Sequence, residues 1–396
     1  SILSLQELGF VHEKVIGRLL DHQHGLILVS GRSGHGKTST VAAMIDIVNA
    51  RQRAFISCVE DPIEIVHAPK YSIISQREIG VDSLTYKTAI TAAMRMCADL
   101  ITIGDLRDLE SLRLAFKAAE AGHLVIGTVN TGDVESTLNF LLEAVPSPNQ
   151  QEVRERIADV ICGIVCQQLV PLQAGGLVLA TEILVNNDQT SPLIQQGQTQ
   201  ELRTVMEAGN AQGMHSMAQS IYALYENELI SAESALAYLR DKELIKRIVT
   251  QQFDEAIESF QSALNIMPNN ADAYSNLGLA LQEQGRLEES IEAYHQAIHI
   301  RPDYADAYSN LGIALQEQGR LEESIEACQQ AIRLQPDYAD AYSNLGVALQ
   351  EQGRLEESIE AYHQAIHIQP DYADAYNNLG VALQEQGRLE ESVKAC

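Results

Sequence analysis

The sequence is short of positive charge, of long apolar runs and of paired cysteines. Its 396 residues carry 27 Lys and Arg against 54 Asp and Glu, a net charge of −27. The deficit is uneven: residues 251–396 hold 7 basic and 25 acidic side chains, whereas the first 250 hold 20 and 29. Such a surface is repelled by phosphate backbones and by anionic lipid, which argues against nucleic acid as a partner, most firmly for the C-terminal half. No apolar run approaches the roughly 20 residues needed to cross a bilayer. No signal-peptide pattern opens the chain. It starts at Ser1 and stops at Cys396 in mid-pattern, so both ends are expected to be cut. The six cysteines (58, 97, 162, 166, 328 and 396) show no paired spacing. They are expected to be reduced, mostly buried thiols of a cytoplasmic protein rather than a disulfide or metal framework, with Cys162-x3-Cys166 in a helix-like run.

What is present divides into two architectures. In the second, Pro268, Pro302, Pro336 and Pro370 recur at a constant spacing of 34, within near-verbatim copies of "PDYADAYSNLGIALQEQGRLEESIEA". That period, with Tyr274-x2-Leu277-Gly278, Tyr294, Ala297 and Pro302, resembles the tetratricopeptide (TPR) repeat, two antiparallel helices per unit stacked into an all-α solenoid. Gly278 and Ala297 are small where paired helices approach, Gly285 ends the first helix, and Pro302 ends the second. The expected units are 271–304, 305–338, 339–372 and a partial 373–396, preceded by a half unit over 252–270. A groove lined by the first helices would show Asn276, Asn310, Asn344 and Asn378, a ladder suited to the backbone of an extended protein or peptide partner. With no Lys/Arg clamp, a neutral or basic segment fits better than an acidic one. His295/His299 and His363/His367 form i, i+4 pairs, but Gln329 and Arg333 replace them in the middle repeat, so a solvated outer face is expected rather than a metal site.

The first part, residues 1–245, has no such period. Short β-rich runs ("GLILVSG", "RAFISCVE", "DLITIGD", "HLVIGTV") alternate with helical stretches, the pattern of buried parallel strands in an α/β sheet. From about Asp188 the pattern turns all-helical. No Gly/Pro/Ser linker marks the junction near 245–252, where a helix is expected to run straight into the half repeat.

The chemistry starts at "GLILVSGRSGHGKTST", residues 25–40. A strand enters, Gly31-x4-Gly36-Lys37-Thr38 follows, and a helix begins, as in a phosphate-binding (Walker A) loop. Backbone N–H groups and a helix N-terminus hold phosphates there. The nucleotide-binding candidates are Gly31, Ser33, Gly34, Gly36, Lys37, Thr38 and Ser39, with Lys37 as a point charge and the Thr38 hydroxyl as a Mg²⁺ ligand. His35 is expected to point outward and do nothing specific. "SCVEDPIEIVH" ends a strand in Glu60-Asp61, where a carboxylate could orient an attacking water. "DLITIGDLRD" places Asp105 at the second acidic position, near Mg²⁺. His123 precedes a strand that ends at Asn130-Thr131, where a polar side chain can contact a terminal phosphate.

The order of these boxes, with "QRE" at 76–78 and "EILV" at 182–185, resembles the type IV pilus retraction ATPases (PilT-type) of the secretion-ATPase superfamily over residues 1 to about 242. The four-Cys zinc insert of the assembly and type II secretion branch is not seen. The resemblance implies a RecA-like P-loop core, ATP and Mg²⁺ as cofactors, and a hexameric homo-oligomer. It implies Glu60, Asp105 and His123 as catalytic residues, and a cytoplasmic ATPase at the inner membrane through the pilus machinery, acting in twitching motility. It also implies a small N-terminal domain that this sequence lacks. Four positions depart from the family pattern. Asp105 stands for Glu, Asn130 for the second His of the histidine box and Thr91 for an Arg, and "DQTSPLIQQ" replaces the helix after the last strand. The alternative reading is a catalytically weak nucleotide-binding adaptor that works through its repeats.

Overall fold

The computed structural model describes residues 2–144 and 149–388; of Asn210 and Ala211 the backbone alone is described. The chain divides into two compact units, Ser1–Ile245 and Lys246–Cys396.

The first unit is built on seven strands: β1 (Gly25–Ser30), β2 (Phe55–Glu60), β3 (Ile73–Glu78), β4 (Leu100–Ile103), β5 (Leu124–Val129), β6 (Ile161–Pro171) and β7 (Leu177–Val185). Their order across the sheet is β3-β2-β4-β5-β1-β6-β7. Every neighbouring pair is parallel except β6 and β7. Helices cover both faces, so the central strands are apolar on both sides. Leu26 and Leu28 of β1 enter one core, and Ile27 and Val29 enter the other. The register brings the C-terminal ends of β1, β5, β4 and β2 to one edge: Ser30 lies beside Val129, Ile103 beside Gly127, and Val59 beside Ile103. Ligands bind outside this edge in open parallel sheets. The helices after Asp188 follow the expected pattern, Ser191–Gln196, Thr199–Ala208, Met217–Glu226 and Ala232–Tyr238.

One expectation is overturned. Cys162 and Cys166 lie in a strand, β6, paired with β1 and β7, whose consecutive residues Ile161–Gln167 are all buried, so that both of its faces are covered. Such a run shows no alternation to set it apart from a buried helix. Among the described residues the cysteines are free; Cys58, Cys162, Cys166 and Cys328 are buried and Cys97 is exposed, while Cys396 lies outside the described residues. Burial pushes the Cys58 thiol up to about 12 and that of Cys162 up to about 11.

The second unit is a run of paired helices: Ala271–Glu283 with Leu287–Ile300, Ala305–Glu317 with Leu321–Leu334, Ala339–Glu351 with Leu355–Ile368, then Ala373–Glu385. A helix over Lys242–Ile266 precedes them and contains the division between units. Residues 389–396 of the expected fourth repeat lie outside the described residues. Each turn after a first helix carries a left-handed glycine, such as Gly285 at φ +76. Gly278 is required for a different reason: a Cβ there would sit 2.7 Å from Cε1 of Tyr294. The core is shared between neighbours. Ile291 and Tyr294 of one repeat pack on Leu311, Ala314 and Leu315 of the next. The same joint carries a polar rung, with Gln282 donating to Glu317 at 3.1 Å, Gln316 to Glu351 at 2.8 Å and Gln350 to Glu385 at 3.0 Å.

Candidate nucleotide site

The loop after β1 leaves the sheet at Gly31 and closes at Gly36, whose φ of +81 starts the helix Lys37–Arg51. That conformation costs a residue with a Cβ about 1–2 kcal/mol. The loop rims a cavity of about 580 Å³ that also takes in Glu60, Asp61, Gly104, Asp105, Arg107 and Asn130. Of the expected nucleotide-binding residues, Ser33, Gly34, Gly36, Lys37, Thr38 and Ser39 line it. Gly31 instead sits against β6, where an added Cβ would lie 2.6 Å from the Gln167 carbonyl oxygen.

Lys37 is folded onto its own loop. Its Nζ donates to the Gly31 carbonyl at 2.5 Å, to the Arg32 carbonyl at 3.1 Å and to Asn130 Oδ1 at 2.7 Å. Burial lowers its pKa, and the nearby Asp105 opposes that shift. Glu60, half-buried, accepts from Gln76 Nε2 at 3.0 Å, and the same amide group donates to the Ile65 carbonyl at 2.8 Å. Burial raises the Glu60 carboxyl above the ordinary range, against the hydrogen bond from Gln76. A carboxylate so raised is a better proton acceptor.

Asp105 hangs just beyond β4. The segment is fastened by Gly104 N–H to the Val59 carbonyl at 2.8 Å and by Leu106 N–H to the Thr128 carbonyl at 2.8 Å. Oδ2 of Asp105 accepts from Arg107 Nε at 2.5 Å, while Oδ1 is buried with no partner among the described residues. A bare buried carboxylate oxygen beside a phosphate loop is the donor that a hard divalent cation takes. Asp108 caps the next helix, Leu109–Glu120, accepting from Ser111 N–H at 2.8 Å.

His123 lies away from the phosphate loop. It sits at the start of β5, its Nδ1 2.7 Å from the Ala98 carbonyl, and its own carbonyl accepts from Gly25 N–H. The six residues of β5, at about 3.3 Å each, put it about 20 Å from the edge that carries the phosphate loop. Within one chain it does not reach the cavity. Asn130, at the other end of the strand, does.

Three participants were not read from the sequence. His35 is not idle: its Nδ1 accepts from Leu169 N–H of β6 at 2.8 Å, and its carbonyl accepts from Gln167 Nε2 at 2.6 Å. Gln167 was hidden inside the misread β6 run. His67 lines the cavity with a buried Nδ1 that has no partner among the described residues. Its only sequence signal was its place in "VEDPIEIVH".

In the second unit the four asparagines stand one per first helix, Asn276 exposed and Asn310, Asn344 and Asn378 half-buried. Asn344 Nδ2 donates to Ser309 Oγ of the preceding repeat at 3.1 Å, so part of this ladder serves the joint between repeats. His295, His299, His363 and His367 are exposed, and among the described residues no group of three or more His, Cys, Asp or Glu could hold a metal.

A mostly parallel sheet, a glycine loop running into a helix, and acidic strand ends converging on that loop define the P-loop class of nucleotide-binding domains. Within that class the chain belongs to the type II/IV secretion system protein family, whose model matches residues 1–271. TPR repeat models match 282–319, 314–353 and 349–387, and a further tetratricopeptide model matches 259–292. The chain is similar to the twitching motility protein of Neisseria gonorrhoeae, 36% identical over 236 residues, which are 59% of this chain and 63% of that protein. It is similar to the type IV pilus retraction ATPase PilT of Pseudomonas aeruginosa, 35% identical over 234 residues, 59% of this chain and 67% of that one. A crystal structure of the pilus retraction motor PilT with bound ADP superposes with a TM-score of 0.58 at 36% identity, covering 62% of this chain and 70% of that one. The chain thus spans less than two thirds of the length of the gonococcal relative. Among the described residues no helix is long and apolar enough to cross a membrane.

Proposed function

We propose that residues 1–245 form a Mg²⁺-dependent ATPase of the type IV pilus twitching-motility class. Residues 252–270 and 271–396 then form a repeat arm that binds a protein or peptide partner. The observation that carries this reading is the convergence of Lys37, Thr38, Glu60, Asp105 and Asn130 on one cavity behind a glycine loop. The similarity to retraction ATPases, and to a motor solved with ADP, supports the choice of nucleotide.

In this reading the loop amides and the start of the helix Lys37–Arg51 hold the phosphates, and Lys37 leaves its carbonyl partners to meet them. The Thr38 hydroxyl and the bare Oδ1 of Asp105 would hold Mg²⁺, which when bound neutralises charge on the phosphate oxygens. Glu60, with its raised pKa, is the group placed to orient water and take its proton. The site is assembled for a homo-oligomer, a hexamer as the family resemblance implies, acting at the inner-membrane pilus machinery from the cytoplasm. The Asn276, Asn310, Asn344 and Asn378 ladder is the proposed peptide contact.

The test is phosphate release from Mg–ATP by the full chain beside its Lys37→Ala variant. Removing the Lys37 charge from the phosphate loop is expected to reduce both nucleotide affinity and turnover at least about tenfold. Equal rates in the two proteins would refute the reading.

A further inference from the structure

Strand β1 pairs with β6 only as far as Ser30 beside Cys166. Past that point β1 becomes the phosphate loop, while β6 runs on to Pro171 with only β7 beside it. Its other edge would be left with unpaired backbone groups, a condition that folded proteins avoid. The loop fills that edge. His35 Nδ1 takes the Leu169 N–H at 2.8 Å, in place of a strand carbonyl. In return Gln167, only 3% exposed, reaches up with Nε2 to the His35 carbonyl at 2.6 Å. The orientation of that amide follows, since a carbonyl can only accept. Gly31 and Gly36 lie against the same residue, with added Cβ atoms falling 2.6 Å from the Gln167 carbonyl oxygen and 3.4 Å from Nε2.

We propose that His35 and Gln167 are positioning residues for nucleotide binding: together with the Leu169 amide they clamp the phosphate loop to β6 and hold its amides in the shape that receives phosphates. The proposal rests on the nucleotide reading of the cavity. It goes beyond it by giving a role to the face of the loop that lies against β6.

The clamp has a chemical signature. Nδ1 accepts a hydrogen bond, so the ring must be neutral with its proton on Nε2. A second proton turns the acceptor into a donor facing another donor, and the Leu169 contact is lost. The His35 pKa lies below its ordinary 6.5, first because the ring is partly desolvated and then because Lys37 and Arg32 stand close. His35 also shares the lining of a neighbouring cavity of about 440 Å³ with Asp133, Glu135, Glu182, Arg203, Arg240 and Asp241. A folded pKa below the free value means that the clamp is fully present above 6.5 and is lost as pH falls through the lowered value.

The experiment measures the affinity of the full chain for Mg–ADP between pH 7.5 and 5, in the wild type and in His35→Asn, His35→Ala and Gln167→Leu. Asparagine places Oδ1 where Nδ1 stands and accepts the Leu169 N–H without titrating. His35→Asn should therefore bind like the wild type at pH 7.5 and, unlike it, keep its affinity at pH 5 relative to the shared titration of the nucleotide. His35→Ala and Gln167→Leu should bind about tenfold more weakly at pH 7.5, the scale of one part-buried hydrogen bond left unmade. Circular dichroism on each variant checks the fold, and the comparison of wild type with His35→Asn stands even if another variant fails to fold. Overlapping pH profiles for these two proteins, with His35→Ala as tight as the wild type at pH 7.5, would overturn the clamp while leaving nucleotide binding intact. A folded wild type that binds no Mg–ADP at any pH would overturn the nucleotide reading and the clamp's role with it.

Discussion

Lengthening Asp105 by one methylene is the perturbation whose outcome the cavity defines most closely. The carboxylate is anchored at one oxygen by Arg107 Nε, 2.5 Å away, and its other oxygen is buried and bare. Its backbone is pinned between β2 and β5, so the side chain cannot advance by moving the main chain. An Asp105→Glu change adds a bond of about 1.5 Å to a side chain that lines the 580 Å³ cavity. A catalytic group about 1 Å out of place can cost about 10²-fold in rate, equivalent to about 2.7 kcal/mol of barrier. The glutamate variant should therefore turn over Mg–ATP about 100-fold faster than the wild type, with its affinity for ADP unchanged. The assay is phosphate release at saturating Mg–ATP, with the Lys37→Ala rate subtracted and ADP binding measured separately. A variant that binds ADP normally and is no faster than the wild type would show that Asp105 already reaches its target and that the distance argument is wrong. It would also favour the present residue as a working one over the reading of a weakened adaptor.

Other perturbations test other parts of the molecule. Asn130→Ala removes one of three acceptors that hold Lys37 back, so ADP affinity should rise at least about tenfold by calorimetry, the scale of one hydrogen bond to a charged group. Burial, assisted by Asp133, pushes the Glu182 carboxyl up to about 7 from an ordinary 4.5. A raised folded pKa means stability that is present below 4.5 and lost as pH rises toward 7, on the order of 3 kcal/mol in all. Glu182→Gln should then raise the melting temperature at pH 8 and leave it nearly unchanged at pH 4.5. Gly278→Ala drives a Cβ to within 2.7 Å of the buried Tyr294 ring, which should destabilise the repeat unit by about 1–3 kcal/mol in denaturant melts. Gly285→Ala meets no neighbour and only a left-handed φ of +76, so its cost should be nearer ~1 kcal/mol.

How much of this was legible depended on whether the signal was local. The repeats announce themselves because each 34-residue copy restates the same small and large residues. The phosphate loop is legible because strand, glycines, lysine and helix are contiguous. Glu60, Asp105 and Asn130 could be inferred because each follows the last residue of an apolar run, and parallel strands bring such positions to one edge. His123 stands apart from them because it begins a strand rather than ends one, a separation of the whole length of β5. The clamp was invisible for a further reason. Nothing in "GHGK" says that its imidazole turns sideways, and the strand that receives it lies more than 130 residues away, in an apolar run without alternation.

The polar rungs of the second unit recur from joint to joint, and the apolar joints match except that one carries Cys328 where the others carry Tyr294 and Tyr362; that near-uniformity carries its own liability. A joint that accepts Gln282 against Glu317 would accept Gln282 against Glu351 equally well. Nothing at these surfaces tells a repeat which copy should follow it. Excision of 34 residues, such as 305–338, would bring two faces together that already match, with Cys328 and its partner Gly312 leaving as a pair. The arm can therefore gain or lose units by recombination between its own copies without creating a misfit. Its reach is a quantity that inheritance can adjust in whole steps, while the nucleotide domain stays as it is.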